Sequence, residues 1–173
     1  MIPWATRPLT DISLITKYTK KSLKQANKIE KQWVKDNVGI KSKNWAGTLG
    51  EELVRFHFQN RELNIWKPKK MECYCPDFET DNYMIEVKTR NWTTTGTAGE
   101  KVLGVPYKYS DIPHLYGKPL LIVCVAYQEW ELTNKRSTQV FGEGVSPSKK
   151  YLLDIWKKMN IEFVPYSKLN EYT

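Results

Sequence analysis

The sequence predicts a single α/β domain, and three observations carry that prediction. Residues 120–127, LLIVCVAY entered through Pro119, form a continuous apolar run of strand length, the signature of a strand buried on both faces. Residues 83–88, YMIEVK, follow the turn-forming Thr80-Asp81-Asn82 and read as the second strand of a short hairpin. Helical apolar spacing recurs on either side of these strands. A chain of 173 residues supports one good core and leaves no room for a large separate recognition domain.

In chain order, the first element is a helix over residues 20–35. At helical pitch Lys20, Lys21, Lys24, Lys28, Lys31 and Lys35 fall within an arc of about 100°, opposite Leu23, Ala26, Ile29 and Trp33. The weakest boundary lies at residues 39–43, which makes 1–43 an N-terminal helical extension and 44–173 the core. A second helix over 44–58 presents Leu49, Leu53 and Phe56 at helical spacing and has glycine in its first turn. After the hairpin, residues 89–101 (TRNWTTTGTAGEK) combine hydroxyls, a cation, an indole and glycines. Beyond the buried strand, Ser146-Pro147 reads as an N-cap with proline at the first helical position. Tyr151, Leu152, Ile155, Trp156 and Met159 then form the apolar stripe of a helix ending near Asn160. Residues 161–164 return as a last strand.

The chemistry concentrates in the hairpin. Side chains alternate along a strand, so Glu86 and Lys88 project together while Ile85 and Val87 enter the core. Asp77, after Pro76 at the start of the partner strand, is brought toward Glu86 by cross-strand pairing. Two carboxylates so placed repel unless a cation lies between them, and an oxygen-only site suits Mg²⁺ or Mn²⁺ better than zinc. Lys88 is then placed to orient or deprotonate a water and to stabilise charge on a phosphate. The alternative is an exposed hairpin with an incidental Glu86–Lys88 salt bridge. Glu51 or Glu52, near the start of the second helix, reaches such a metal through water, although acidic residues are also what a helix dipole favours in a first turn.

The order Gly50-Glu51 on a helix, Pro76-Asp77, then Glu86-Val87-Lys88 resembles the PD-(D/E)XK nuclease superfamily, which includes type II restriction endonucleases, junction resolvases and repair nucleases. The motif elements span residues 50–88. The resemblance implies a restriction-endonuclease-like core with a mixed central sheet flanked by helices. It implies Mg²⁺, with Mn²⁺ as substitute, held by Asp77, Glu86 and the Val87 carbonyl, with Glu51 acting through water and Lys88 as the catalytic lysine. It also implies in-line attack of water on a phosphodiester, leaving a 5′-phosphate and a 3′-hydroxyl. Glu51 directly follows the glycine, as in similar sequences, whereas Glu52 lies closer to the Leu49/Leu53/Phe56 face; Glu51 is modestly preferred.

Composition agrees with a nucleic-acid substrate. Lys and Arg number 27 against 19 Asp and Glu, for a net charge of +8 and a pI near 9.3, which favours a polyanion through counterion release and steering. Candidate DNA contacts are Lys24, Lys28 and Lys31 on the first helix; Arg90, Trp92, Thr93, Thr94 and Thr95 after the hairpin; and Lys101 and Lys108 beyond. An ordinary solvated lysine face and a flexible polar connection are the competing readings. No G-x-x-x-x-G-K-[ST] spacing occurs in 96–101, so no nucleotide cofactor is expected. Cys73, Cys75 and Cys124 lack zinc-site spacing; their odd number and the absence of a signal peptide point to an intracellular, cytoplasmic or nucleoid-associated protein. His57 and His114 read as packing or surface residues. No stretch is long and apolar enough to span a membrane. The expected function is a Mg²⁺-dependent endonuclease cutting double-stranded DNA as a homodimer. A structure-selective nuclease and a non-catalytic DNA-binding module are the alternatives.

Overall fold

A computed structural model describes residues 20–38, 44–93 and 99–173. Four strands form one mixed sheet in the order β1-β2-β3-β4: β1 (Phe78–Glu79), β2 (Met84–Arg90), β3 (Leu120–Ala126) and β4 (Ile161–Pro165). β1 pairs antiparallel with β2, and β2, β3 and β4 run parallel. Every residue of β3 is buried, as expected of a central parallel strand covered on both faces.

Two helical layers do the covering. On one face, α1 (Lys20–Val38) and α2 (Trp45–Gln59) pack through Trp33, Val34, Leu49, Leu53, Val54 and Phe58 onto Ile85, Val87, Leu121, Val123 and Val125. On the other, the crossovers pack on Met84, Leu120, Ile122, Cys124, Ile161 and Phe163. The β2-to-β3 crossover is a 3₁₀ turn at Lys101–Gly104, then α3 (Val105–Lys108) and α4 (Ile112–Tyr116). The β3-to-β4 crossover holds α5 (Tyr127–Asn134) and α6 (Pro147–Lys158). A 3₁₀ segment, Tyr166–Tyr172, returns to the α2 side with Tyr166 and Leu169. Among the described residues no helix is long and apolar enough to cross a membrane.

The helices, the hairpin and the last strand lie where the sequence places them, and three details differ. The inner face of α2 runs through Leu49, Leu53 and His57, while Phe56 turns sideways to meet Trp33 edge-on, ring centroids 6.0 Å apart. α5 was not expected. At Ala126 the chain turns from strand to helix with φ of 58°, and α5 buries Gln128, Glu129 and Glu131, so its apolar periodicity is faint. The expected apolar stripe of α6 is largely outside the core: Tyr151 is 68% exposed, Leu152 55%, and Ile155 and Met159 are also exposed, while Leu153 and Trp156 make the packing contacts. α1 shares the core of the α2 layer through Trp33 and Val34. Residues 39–43, the expected boundary, lie outside the described residues.

Candidate functional site

The hairpin register sets the site. Phe78 pairs with Ile85 and Glu79 with Met84; one step further along the same register puts Asp77 opposite Glu86. Asp77 Oδ2 accepts a 2.8 Å hydrogen bond from the Val87 amide, which fixes the carboxylate at the mouth of the hairpin. Glu86 is almost fully buried, and its Oε1 is ion-paired with Lys88 Nζ. The same ammonium donates to the Val87 carbonyl at 3.3 Å. Lys88 thus draws together a Glu86 oxygen and the Val87 carbonyl, two of the oxygens expected to hold a metal. The other Glu86 oxygen, Oε2, is buried and makes no well-formed hydrogen bond, with the Tyr109 hydroxyl close enough to act on the carboxyl. Burial and then the charge of Asp77 push the Glu86 carboxyl above its ordinary range, partly offset by Lys88.

Glu51 comes from the opposite layer. Burial raises its carboxyl first and Asp77 second, while Lys67 and Lys88 oppose the shift, so Glu51 shares the field of the hairpin charges. Glu52 is paired along the helix with Arg55, an i,i+3 interaction. Of the two glutamates, Glu52 is engaged by Arg55, whereas Glu51 is acted on by the hairpin charges. The reason α2 approaches so closely is Gly50: a Cβ there would lie 1.7 Å from Thr89 Oγ1 and 3.0 Å from Val87 Cγ1. Only glycine lets the helix backbone rest on β2, and the next residue is then carried to the carboxylates.

Two further side chains, which the carboxylate–lysine motif does not include, neighbour the site. Tyr109, which follows α3, is buried; burial and the nearby Glu86 carboxylate push its phenol up to about 12. Lys67 Nζ stands 3.9 Å from Asp77 Oδ1 and over the Phe78 ring at 5.2 Å. Neither belongs to a motif, and only the fold carries them to the hairpin.

The candidate DNA contacts divide. Lys24, Lys28 and Lys31 are exposed on α1, and Lys101, Lys108 and Thr93 are exposed after the hairpin. Lys108 Nζ donates to the Tyr109 hydroxyl at 3.2 Å, next to the site. Thr94 and Thr95 lie outside the described residues. Arg90 and Trp92 are not where a nucleic acid would meet them. Arg90, with 8% of its side chain exposed, is ion-paired with the buried Glu131 and lies over the Tyr127 ring at 5.1 Å. Trp92 is 3% exposed; its indole donates to Glu30 Oε1 and its amide to Asn27 Oδ1, each at 2.8 Å. Both residues are structural here, because α5 and α1 supply buried polar partners that the local sequence of 89–93 does not show. Glu30 itself is buried, and its carboxyl is pushed up to about 8 by that burial.

Among the described residues, no group of three or more His, Cys, Asp or Glu side chains stands together as a metal cage. The donors that fit a hard cation are fewer and of mixed type: the Asp77 and Glu86 carboxylates and the Val87 carbonyl, all oxygen, with the buried Glu86 Oε2 among them. Comparison with protein-family models, with curated proteins and with solved structures finds no significant match.

Proposed function

We propose that this chain is a metal-dependent DNA endonuclease of the PD-(D/E)XK type, hydrolysing phosphodiester bonds in double-stranded DNA as a compact type II restriction enzyme does and acting as a homodimer. The observation that carries the reading is the gathering of the Glu86 carboxylate and the Val87 carbonyl around Lys88, beside a backbone-anchored Asp77 and within the field of Glu51. A hairpin and a separate helix contribute to one polar centre, with a buried carboxylate oxygen in it that makes no well-formed hydrogen bond. Leaving such an oxygen poorly satisfied is costly, and a bound cation removes the cost.

Asp77, Glu86 and the Val87 carbonyl would hold Mg²⁺ or Mn²⁺, and such an ion supplies Lewis-acid stabilisation of a phosphate and a more acidic bound water. The protein's own groups do the rest. The Val87 amide keeps Asp77 in one orientation. Lys88, 31% exposed, contacts both Glu86 and the Val87 carbonyl; with those oxygens holding an ion, its ammonium would be free to donate to a water or a phosphate oxygen. Glu51 adds negative charge on the α2 side, where it would act through water.

The test is plasmid DNA incubated with Mg²⁺ or Mn²⁺, comparing the parent with Asp77→Ala and Lys88→Ala. The parent is expected to cut and both variants to lose at least ~100-fold in rate. Cutting by both variants at the parent rate overturns the site. A structure-selective nuclease is the second reading, favoured by the burial of Arg90 and Trp92, which removes two of the candidate DNA contacts. Discrete fragments support the first reading and cleavage of branched substrates alone the second; binding without cutting marks a DNA-binding module.

A further inference from the structure

Residues 67–70, Lys-Pro-Lys-Lys, form a basic strap beside the candidate site, and its backbone is held in place from several directions. Trp66 and Glu79 exchange two backbone hydrogen bonds of 2.9 and 2.8 Å, tying the start of the strap to β1. Pro68 is buried, and its carbonyl accepts from Cys75 Sγ at 4.0 Å. The Tyr116 hydroxyl of α4 donates to the Lys69 carbonyl at 2.8 Å and accepts from the Met71 amide at 3.2 Å. Met71 and Tyr74 then close a tight turn with bonds of 3.0 and 2.9 Å. The Tyr74 hydroxyl adds a 2.8 Å bond to Asp111.

Lys118 is paired with Glu79 at 2.7 Å, Lys157 with Glu162 at 3.0 Å, and Lys149 is capped by the Ser137 carbonyl at 3.0 Å. Lys69 and Lys70 are exposed, and among the described residues neither has an ion pair or a side-chain hydrogen bond. Lys67, 61% exposed, touches Asp77 only at 3.9 Å. Three ammonium groups are therefore carried by a pre-positioned stretch of backbone whose first lysine, Lys67, reaches Asp77, with little internal demand on them. A polyanion gains from such an arrangement twice, through counterion release and through the small ordering cost of a backbone already fixed.

We infer that the strap of residues 67–70 is a phosphate-docking surface for duplex DNA, seating the sugar–phosphate backbone next to Asp77. The inference rests on the nuclease reading and names where its substrate is held. Lys69 and Lys70 each take a phosphate, and Lys67, the strap lysine that reaches Asp77, takes the phosphate nearest that carboxylate. These contacts carry no sequence information; they set the position of the duplex.

The experiment measures binding alone. A fluorescently labelled duplex is titrated with protein by anisotropy, without divalent metal, over a series of salt concentrations. Lys69→Gln with Lys70→Gln is compared with the parent and with a charge-matched control on α6, Lys150→Gln with Lys158→Gln. The strap variant is expected to bind roughly tenfold more weakly, with a slope of log affinity against log salt shallower by about 1.8, from about 0.9 per phosphate lost. The control is expected to keep the parent's affinity and slope. An unchanged strap variant, an equal loss in the control, or no binding by the parent overturns the inference. Because no cleavage is read, a failed plasmid assay leaves this result standing, and a failed strap leaves the plasmid assay standing.

Discussion

Replacing Glu131 by leucine tests whether Arg90 belongs to the interior. The guanidinium has 8% of its side chain exposed and faces a carboxylate with 2% exposed, so the pair is withdrawn from water on both sides. Removing one member of a buried pair costs about 3–5 kcal/mol, because the survivor loses its near countercharge while still withdrawn from water; Glu131 also pairs with the half-exposed Lys135 at 3.3 Å. The Arg90 contact with the Tyr127 ring, about 0.5–2 kcal/mol, is retained in this variant. The double change Arg90→Met with Glu131→Leu leaves no stranded charge and is expected to recover most of the loss. Urea denaturation at pH 7 reads each value, and a double-mutant cycle gives the coupling. The pair lies beneath Gly99, where a Cβ would approach Glu131 Oε2 to 1.9 Å and an Arg90 guanidinium nitrogen to 2.4 Å, so it also sets the path of the chain after the hairpin. A cost below about 1 kcal/mol for Glu131→Leu would refute the argument. So would an Arg90→Gln variant of parental stability that loses one phosphate contact in its salt slope, since that is how a surface DNA ligand behaves.

Two further outcomes are expected. Gly50→Ala gains up to about 1 kcal/mol of helix propensity but drives a methyl to 1.7 Å from Thr89 Oγ1, and overpacking of about 1–3 kcal/mol prevails. Urea denaturation should show a net loss, the plasmid cleavage expected of the proposed function should fall as Glu51 is displaced, and adding Thr89→Ala should restore part of both; a stabilised Gly50→Ala contradicts the packing. Glu30 carries a pH signature: its carboxyl is raised from 4.5 to about 8, so the native state keeps a proton that the unfolded chain releases. Its contribution is present below pH 4.5 and is lost as pH rises toward 8, at about 1.4 kcal/mol per unit. Glu30→Gln keeps an acceptor for the Trp92 indole and should flatten the fall in stability between pH 5 and 8 relative to the parent; identical pH slopes would exclude a buried neutral Glu30.

Local pattern determined a good deal of this protein. The apolar run of 120–126 made a central strand inevitable, because only a site covered on both faces accommodates seven consecutive apolar side chains. Alternation in 84–88 assigned Ile85 and Val87 to one layer and Glu86 and Lys88 to the other, and the turn composition of 80–82 brought Asp77 to Glu86. Tertiary structure added the close approach of α2 to β2 at Gly50 and the pairing of Glu52 with Arg55, neither of which local pattern shows. Tertiary structure likewise buried Arg90 and Trp92, whose partners Glu131 and Glu30 lie 41 and 62 residues away in the chain. It left the stripe of α6 in the open and brought Lys67 to Asp77. The division has a physical basis: backbone geometry and the period of apolar residues act over a few positions and are written in the sequence. The partner of a charge or an indole depends instead on which distant element packs against it, and that is fixed only when the layers close.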